Sequence, residues 1–243
     1  MKKNRLQTVL DELDIEEIRR SVAEGKVPSE FIKIAETILN GHFYVSHGND
    51  NVKVYPTCVE LYWHEENGNI KDYIVYHRNS AKKKPAIFET GILHNHVSGI
   101  DLTFELGGNP ESAIRASALI REFMVKGKNG EWVEITKIKN GKEIKSNIEN
   151  RSTYIYEYLF GQFSIFDGGF SVEWKDDENA SNTVSNADCT PRYNVAEYDI
   201  KDDGNIKKKP YKDNTSSHKT ANGKYVQDER LWRFAVSGHD TRF

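Results

Sequence analysis

The spacing of hydrophobic and polar positions changes several times along this chain, and each change marks an element. Between residues 5 and 24, Leu6, Val9, Leu10, Leu13, Ile15, Ile18 and Val22 recur at helical intervals, with Asp14 and Glu17 spaced as an N-cap and its N3 partner. This predicts two short helices or one broken helix. "VPSEFIKIAETILNGH" is more regular, with Ser29 as N-cap, Phe31, Ile34, Ala35, Ile38 and Leu39 on one stripe, and Gly41 placed to end the helix. The period then shortens towards two, predicting strands at about 42–47, 51–64 and 70–78. "GILHNHVSGIDLTFELGG" predicts two strands around Ser98-Gly99, and "SAIRASALIREFMV" a strand or a short buried helix. "NGEWVEITKIKNGKEI" fits an irregular stretch or a hairpin, "TYIYEYLFGQF" a helix, and "GGFSVEWK" and "LWRFAVSGH" strands. The expected class is α+β: a single domain over 1–243, with a curved, mostly antiparallel sheet and flanking helices.

One position breaks the pattern. By the period-two rule Val52, Val54, Pro56, Cys58, Glu60 and Tyr62 share a face in "VKVYPTCVELYWHEENG", which places a carboxylate among largely apolar neighbours. The opposite face, Lys53, Tyr55, Val59, Leu61 and Trp63, is also largely apolar, so either side could be buried. A desolvated carboxylate is costly unless it is paired, hydrogen-bonded or protonated, so Glu60 is either a solvated edge residue or a functional group.

Composition narrows the classes. With 37% hydrophobic residues in 243 the chain can build a real core, and a formal net charge of −3 argues against indiscriminate coating of nucleic acid. Cys58 and Cys189 are the only cysteines and fit reduced thiols, with Cys58 on an apolar strand face as core. The N-terminus turns acidic before an apolar stretch develops, and no run reaches membrane-spanning length, so an unprocessed cytoplasmic protein with no membrane partner is expected. From Asp199 to Gln227 the chain is rich in Lys, Asp, Asn, Ser and Gly, as in a long loop, and Lys82-Lys83-Lys84 forms a second basic run. Gly107-Gly108 and Gly168-Gly169 lack the spacing of a phosphate loop. His94-Asn95-His96 sets two imidazoles on one strand face, with Asp101 close and His64 or His77 available elsewhere, a conceivable first-row metal site without a defining third ligand. Arg121 closes the apolar run "ASALIRE" and could pair with a carboxylate on a neighbouring strand, keeping a pocket Glu ionised.

Taken in order, these pieces resemble the alkyladenine (3-methyladenine) DNA glycosylases, the methylpurine-DNA glycosylase family. "FIKIAETILNGHFYV" is similar to the family's opening helix and strand, "CVELYWHEE" to its Val-Glu-Thr-Glu-Ala-Tyr segment, and "GILHNHVSGIDLTFE" to its Gly-x-Leu-Tyr-Val-Tyr strand and hairpin. "ALIRE" resembles its Leu-Ile-Arg-Ala-Leu-Glu strand, "TPRYNV" its Pro-Arg-Ile-Gly-Ile segment, and "LWRFAVSGH" its Pro-Trp-Arg-Phe-Tyr-Val-x-Gly end. The resemblance implies a metal-free, cofactor-free monomer that flips a damaged purine out of double-stranded or distorted DNA and hydrolyses its N-glycosidic bond. It implies Glu60 as general base, Arg121 and the carbonyl of Val195 as its partners around a water, and Tyr62, His77 and His96 lining the base pocket. Glu105 would stand where the family gates the pocket against guanine, and Ser98, Arg192 and Arg233 would face DNA. The sequence departs from the family at the hairpin tip, His96-Val97-Ser98-Gly99, which is one residue shorter and carries no intercalating Tyr. It also lacks an Asn-x-Gly-Pro-Gly segment after Arg121. A non-catalytic nucleic-acid or nucleobase-binding module on the same fold and a metal-dependent hydrolase using His94 and His96 are the alternatives.

Overall fold

The computed structural model of the chain describes residues 3–48, 50–75, 88–107, 109, 111–139, 141–185, 188–193, 195–200, 206–208 and 227–236. The amino-terminal pattern resolves into two helices, α1 (Arg5–Asp11) and α2 (Ile15–Ala23), and the Asp14 carboxylate accepts the Glu17 N–H at 3.0 Å to start the second. The third helix, α3 (Ser29–Leu39), buries the expected stripe of Phe31, Ile34, Ala35, Ile38 and Leu39. Ser29 is not its N-cap. Pro28 holds that position, and the Glu17 carboxylate of α2 receives the Ser29 N–H at 3.1 Å, so one helix caps the next. Gly41 does not terminate α3 in a left-handed turn either. Asn40 closes the helix and Gly41 opens the first strand, where an added Cβ would run into the Trp174 ring.

The strands are β1 (Gly41–His47), β2 (Asp50–Glu65), β3 (Leu93–His96), β4 (Gly99–Thr103) and β5 (Ile114–Lys126). A separate hairpin, β6 (Ile135–Lys139) and β7 (Lys142–Ser146), follows, then β8 (Ile148–Glu149). A single 3-10 turn (Ser152–Tyr154) leads into α4 (Ile155–Phe160), followed by β9 (Phe170–Asp176) and β10 (Cys189–Thr190). The pair β11 (Tyr198–Ile200) and β12 (Ile206–Lys208) is all that is described between 199 and 226, and β13 (Arg233–Ala235) comes last. Residues 70–75 form turns rather than the expected strand, because Asp72 is pulled aside into a buried ion-pair network; 76–78 lie outside the described residues.

Nine strands make one curled antiparallel sheet, in the order β10-β13-β2-β5-β4-β3, with β1 and β9 added alongside the first half of β2 and β8 alongside β5. This is an α+β architecture, with four helices among the described residues. Helices α1 to α3 supply Leu6, Leu10, Ile18, Phe31 and Ile34 to a core that also takes Phe43, Val45, Val54, Leu102 and Ile120 from the sheet.

The long strands β2 and β5 do not alternate regularly. Their register is irregular from Pro56 to Val59, opposite Phe123 to Ile120, with Thr57 and Arg121 both skipped. Side chains change face there, so Val54 before the break and Val59, Leu61 and Trp63 after it enter the same core. The grouping of Glu60 and Tyr62 with Val52 and Val54 therefore fails. Instead, Lys53 and Tyr55 ahead of the break lie on the face that Glu60 and Tyr62 occupy beyond it, the face turned away from the helix-covered core.

Candidate active site

Directly opposed residues in antiparallel strands share a face, and one such row crosses the sheet: Arg233, Glu60, Leu119, Asp101 and His94 on five successive strands. Glu60 sits in it with no exposed surface. Its Oε1 accepts the Tyr193 backbone N–H at 2.6 Å and lies 3.5 Å from Arg121 Nε, and its Oε2 accepts the Tyr62 hydroxyl at 2.9 Å. Arg121 reaches it because it is the residue that the β5 register skips, a position at which a bulge re-aims a side chain. The structure thus brings Glu60, Tyr62 and Arg121 together across 61 positions of sequence (121 − 60). A carboxylate accepts at about four lone-pair sites, so two hydrogen bonds leave room for a further donor such as water.

Tyr62 is buried, and burial together with the Glu60 carboxylate pushes its phenol well above the ordinary value, so it acts as a donor. One face of its ring already carries the Arg192 guanidinium, 4.6 Å from the centroid, which leaves less of it to stack on a base than the resemblance implies. Val195 packs with Tyr62, Val75 and Leu119 in a small apolar cluster, and its carbonyl accepts the Asp228 N–H at 2.9 Å.

Two of the three residues expected to face DNA do not. Arg192 is fully buried, donating to Asp72 at 2.6 Å and to Asp228 at 3.0 Å, with Arg230 bridging the same two carboxylates. Burial alone would lower its pKa, but Asp72 and Asp228 outweigh it and hold Arg192 above its usual value. Arg233 lies inside the sheet row, donating to Glu122 at 2.8 Å and to Cys58 Sγ at 3.2 Å, with Nε 4.0 Å from Glu60 Oε1. Both are structural cations, which a sequence cannot distinguish from phosphate-binding ones without knowing where Asp72 and Glu122 fall. Ser98, by contrast, is exposed at the β3–β4 tip beside an exposed Val97, and its carbonyl accepts the Ser152 hydroxyl at 2.6 Å.

His96 lies on the same side of the sheet, its Nε2 3.2 Å from Asp101 Oδ2, with His94 Nδ1 4.0 Å from that oxygen and the two imidazoles stacked 5.8 Å apart. Asp101 also acts on the Tyr62 phenol, and the cross-strand row places the two histidines on the same face of the sheet as Glu60. Among the described residues no group of three or more His, Cys, Asp or Glu side chains converges on a metal position. Glu105 is not part of this group: its carboxylate pairs with Arg115 at 2.7 Å and accepts the Phe88 N–H at 3.0 Å, two strand positions beyond the Tyr62 row. His77 lies outside the described residues. Cys58 is buried, and desolvation pushes its thiol up to about 12, which makes it inert as a nucleophile.

Sequence reasoning missed Tyr193, whose N–H holds Glu60 while its ring, 54% exposed as a residue, stands 5.3 Å over Arg121 at the rim of the site. Its only signal was its place directly after Arg192 in "TPRYNV". Ser117, between Tyr62 and Thr103 in the next row, was also missed, and its buried hydroxyl has no hydrogen-bond partner among the described residues. Comparison with protein-family models, with curated proteins and with solved structures finds no match to this chain.

Proposed function

We propose that this protein is a monofunctional DNA glycosylase of base-excision repair, hydrolysing the N-glycosidic bond of alkylated or deaminated purines after base flipping. The observation that carries the reading is the Glu60 carboxylate, buried and oriented by Arg121, the Tyr62 hydroxyl and the Tyr193 N–H. Such a group can take a proton from water as the water oxygen bonds to the sugar C1′, and its charge stabilises the oxocarbenium-like centre while the C–N electron pair departs with the base. A base that is already cationic leaves without a further acid, and a neutral deaminated purine takes up, through solvent, the proton that Glu60 removes from the water. The order of Glu60, Tyr62, Arg121 and "TPRYNV" supports the finer reading that the curled sheet is the methylpurine-DNA glycosylase architecture, acting as a monomer without cofactor. The DNA-facing roles of Arg192 and Arg233 are not part of this proposal, because Arg192 is buried and Arg233 half-buried, each held in ion pairs.

The test is release of 3-methyladenine-type lesions, 7-methylguanine or hypoxanthine from duplex and single-stranded oligonucleotides. The wild type is expected to release at least one of them, and Glu60→Gln to lose about 10²-fold or more in rate, the scale of a general base. No release from any substrate ends the enzymatic reading. One observation favours a second reading, a module that binds nucleic acid or a nucleobase without turnover: Glu60 is completely covered, with Val75 and Val195 packed alongside. Salt-dependent DNA binding with no base release selects it.

A further inference from the structure

The change of face in β2 and β5 has a second product, remote from Glu60. On the side away from the helix-covered core, cross-strand neighbours align Tyr44 on β1, Lys53 on β2, Lys126 on β5 and Trp132, which bridges to Lys126. Beside that row stand His42 and Tyr55, with His42 opposite Lys175 of β9. The rings are in contact: His42 stacks on Tyr55 at 4.8 Å and 27°, and Tyr55 meets Trp132 edge-on at 5.3 Å. The cations lie on the rings. Lys126 Nζ is 4.7 Å from the Trp132 centroid and 6.0 Å from that of Tyr55, and Lys175 Nζ is 3.7 Å from that of Tyr44. Trp132 is 39% exposed, an unusual position for an indole on a sheet face. Both ring nitrogens of His42 are buried with no hydrogen-bond partner among the described residues.

We propose that this face binds a single-stranded nucleic acid, with bases stacking on Trp132 and Tyr44 and phosphates taken by Lys53, Lys126 and Lys175. An exposed cation over a ring is a weaker contact than a base on the same ring, so a strand can displace each ammonium towards its phosphates and leave the ring to the base. Charge supports this occupant over a protein segment of mixed charge. Lys126 and Lys175 lie over the rings and Lys53 acts on His42, while Glu173, opposite Tyr44 and 3.6 Å from Lys175, and Asp177, acting on Tyr55 and His42, are acids beside them. Because Tyr55 and Glu60 share a face of β2 and are five residues apart, a strand lying here comes within roughly 16 Å of Glu60. The inference extends the excision reading but rests on its own residues.

The experiment is a titration of the whole protein with a thymidine oligonucleotide of about 12 nucleotides, within the span that such platforms cover. Tryptophan fluorescence reports it, since Trp132 is exposed while Trp63 and Trp232 are buried and Trp174 is packed half-buried against the core. Quenching is expected, with log K falling against log salt at a slope of about −2 for three phosphates. Trp132→Ala is expected to weaken binding about tenfold or more, with Trp132→Phe retaining it, and Lys126→Glu or Lys53→Glu to weaken it similarly, all with unchanged circular dichroism. No binding, wild-type binding by Trp132→Ala, or equal competition by inorganic polyphosphate overturns the proposal. Binding that persists in Glu60→Gln and in a protein that releases no base leaves this inference standing and removes the excision reading. Base release without binding on this face does the reverse.

Discussion

A charge can be held away from water only if every neighbour is in place, and Arg192 shows how strict that condition is. Its buried guanidinium meets the buried Asp72 and Asp228, packs over Tyr62 and lies 5.0 Å from the Trp232 ring. Removing it leaves two carboxylates buried with Arg230 alone to balance them. Arg192→Ala is therefore expected to cost about 3–5 kcal/mol in urea unfolding, far more than removal of a surface arginine. The same position explains the misreading of Arg192 as a DNA contact: chemistry at the residue scale is visible in sequence, but accessibility belongs to the partners. Glu60 and Arg121 were legible because a carboxylate inside a hydrophobic strand and a guanidinium ending another are each anomalous. Tyr193 was not, since its contribution to Glu60 is a backbone N–H, which every residue except proline carries.

At the scale of elements, the third helix was readable almost throughout because its stripe depends only on spacing, while its two ends were misread because both are tertiary. Glu17 of α2 caps the start, and the end passes through Asn40 alone into β1. Gly41 is required there by the indole of Trp174, which lies where its Cβ would be. Gly41→Ala is expected to destabilise the fold by about 1–3 kcal/mol through overpacking. A lowered thermal midpoint should show this, and a wild-type midpoint would remove the steric account. Strands β2 and β5 were expected from their composition, but their mutual irregularity was not, since a pattern of mostly apolar residues on both faces carries no mark of where the alternation inverts. The turn at 70–75 has the look of a strand in sequence because Ile70, Tyr73, Ile74 and Val75 resemble one, whereas Asp72 anchors the segment to Arg192 and His64.

For the whole molecule, the buried ion pairs set the response to acid. Burial would raise the Asp228 pKa, but hydrogen bonds from Arg230 and the charge of Arg192 overcome it and hold the group below its ordinary value. Its contribution to stability is complete above the unfolded carboxyl value of about 4 and is lost as pH falls through the folded one. Glu149, lowered by Arg151 against its own burial, acts in the same direction. Glu122 acts in the opposite one: burial raises it despite Arg233, so its contribution favours the fold at low pH and is lost as pH rises through the folded value. Unfolding midpoints measured from neutral pH downward should fall steeply on the acid limb, and Asp228→Asn should start lower at pH 7 and fall less. An acid limb as steep as that of the wild type would exclude Asp228 as its source. No helix of the described residues is long and apolar enough to cross a membrane.

The hydrogen bond between the Tyr193 N–H and Glu60 joins two properties that are usually measured separately. The amide cannot exchange with solvent while it is bonded to a carboxylate that has no exposed surface, so its protection against hydrogen exchange gives the free energy of lifting the segment around residue 193. That single backbone proton is a gauge of the opening of the site in the free protein, and the open population it reports is the fraction of molecules in which Glu60 can be reached from outside by that route.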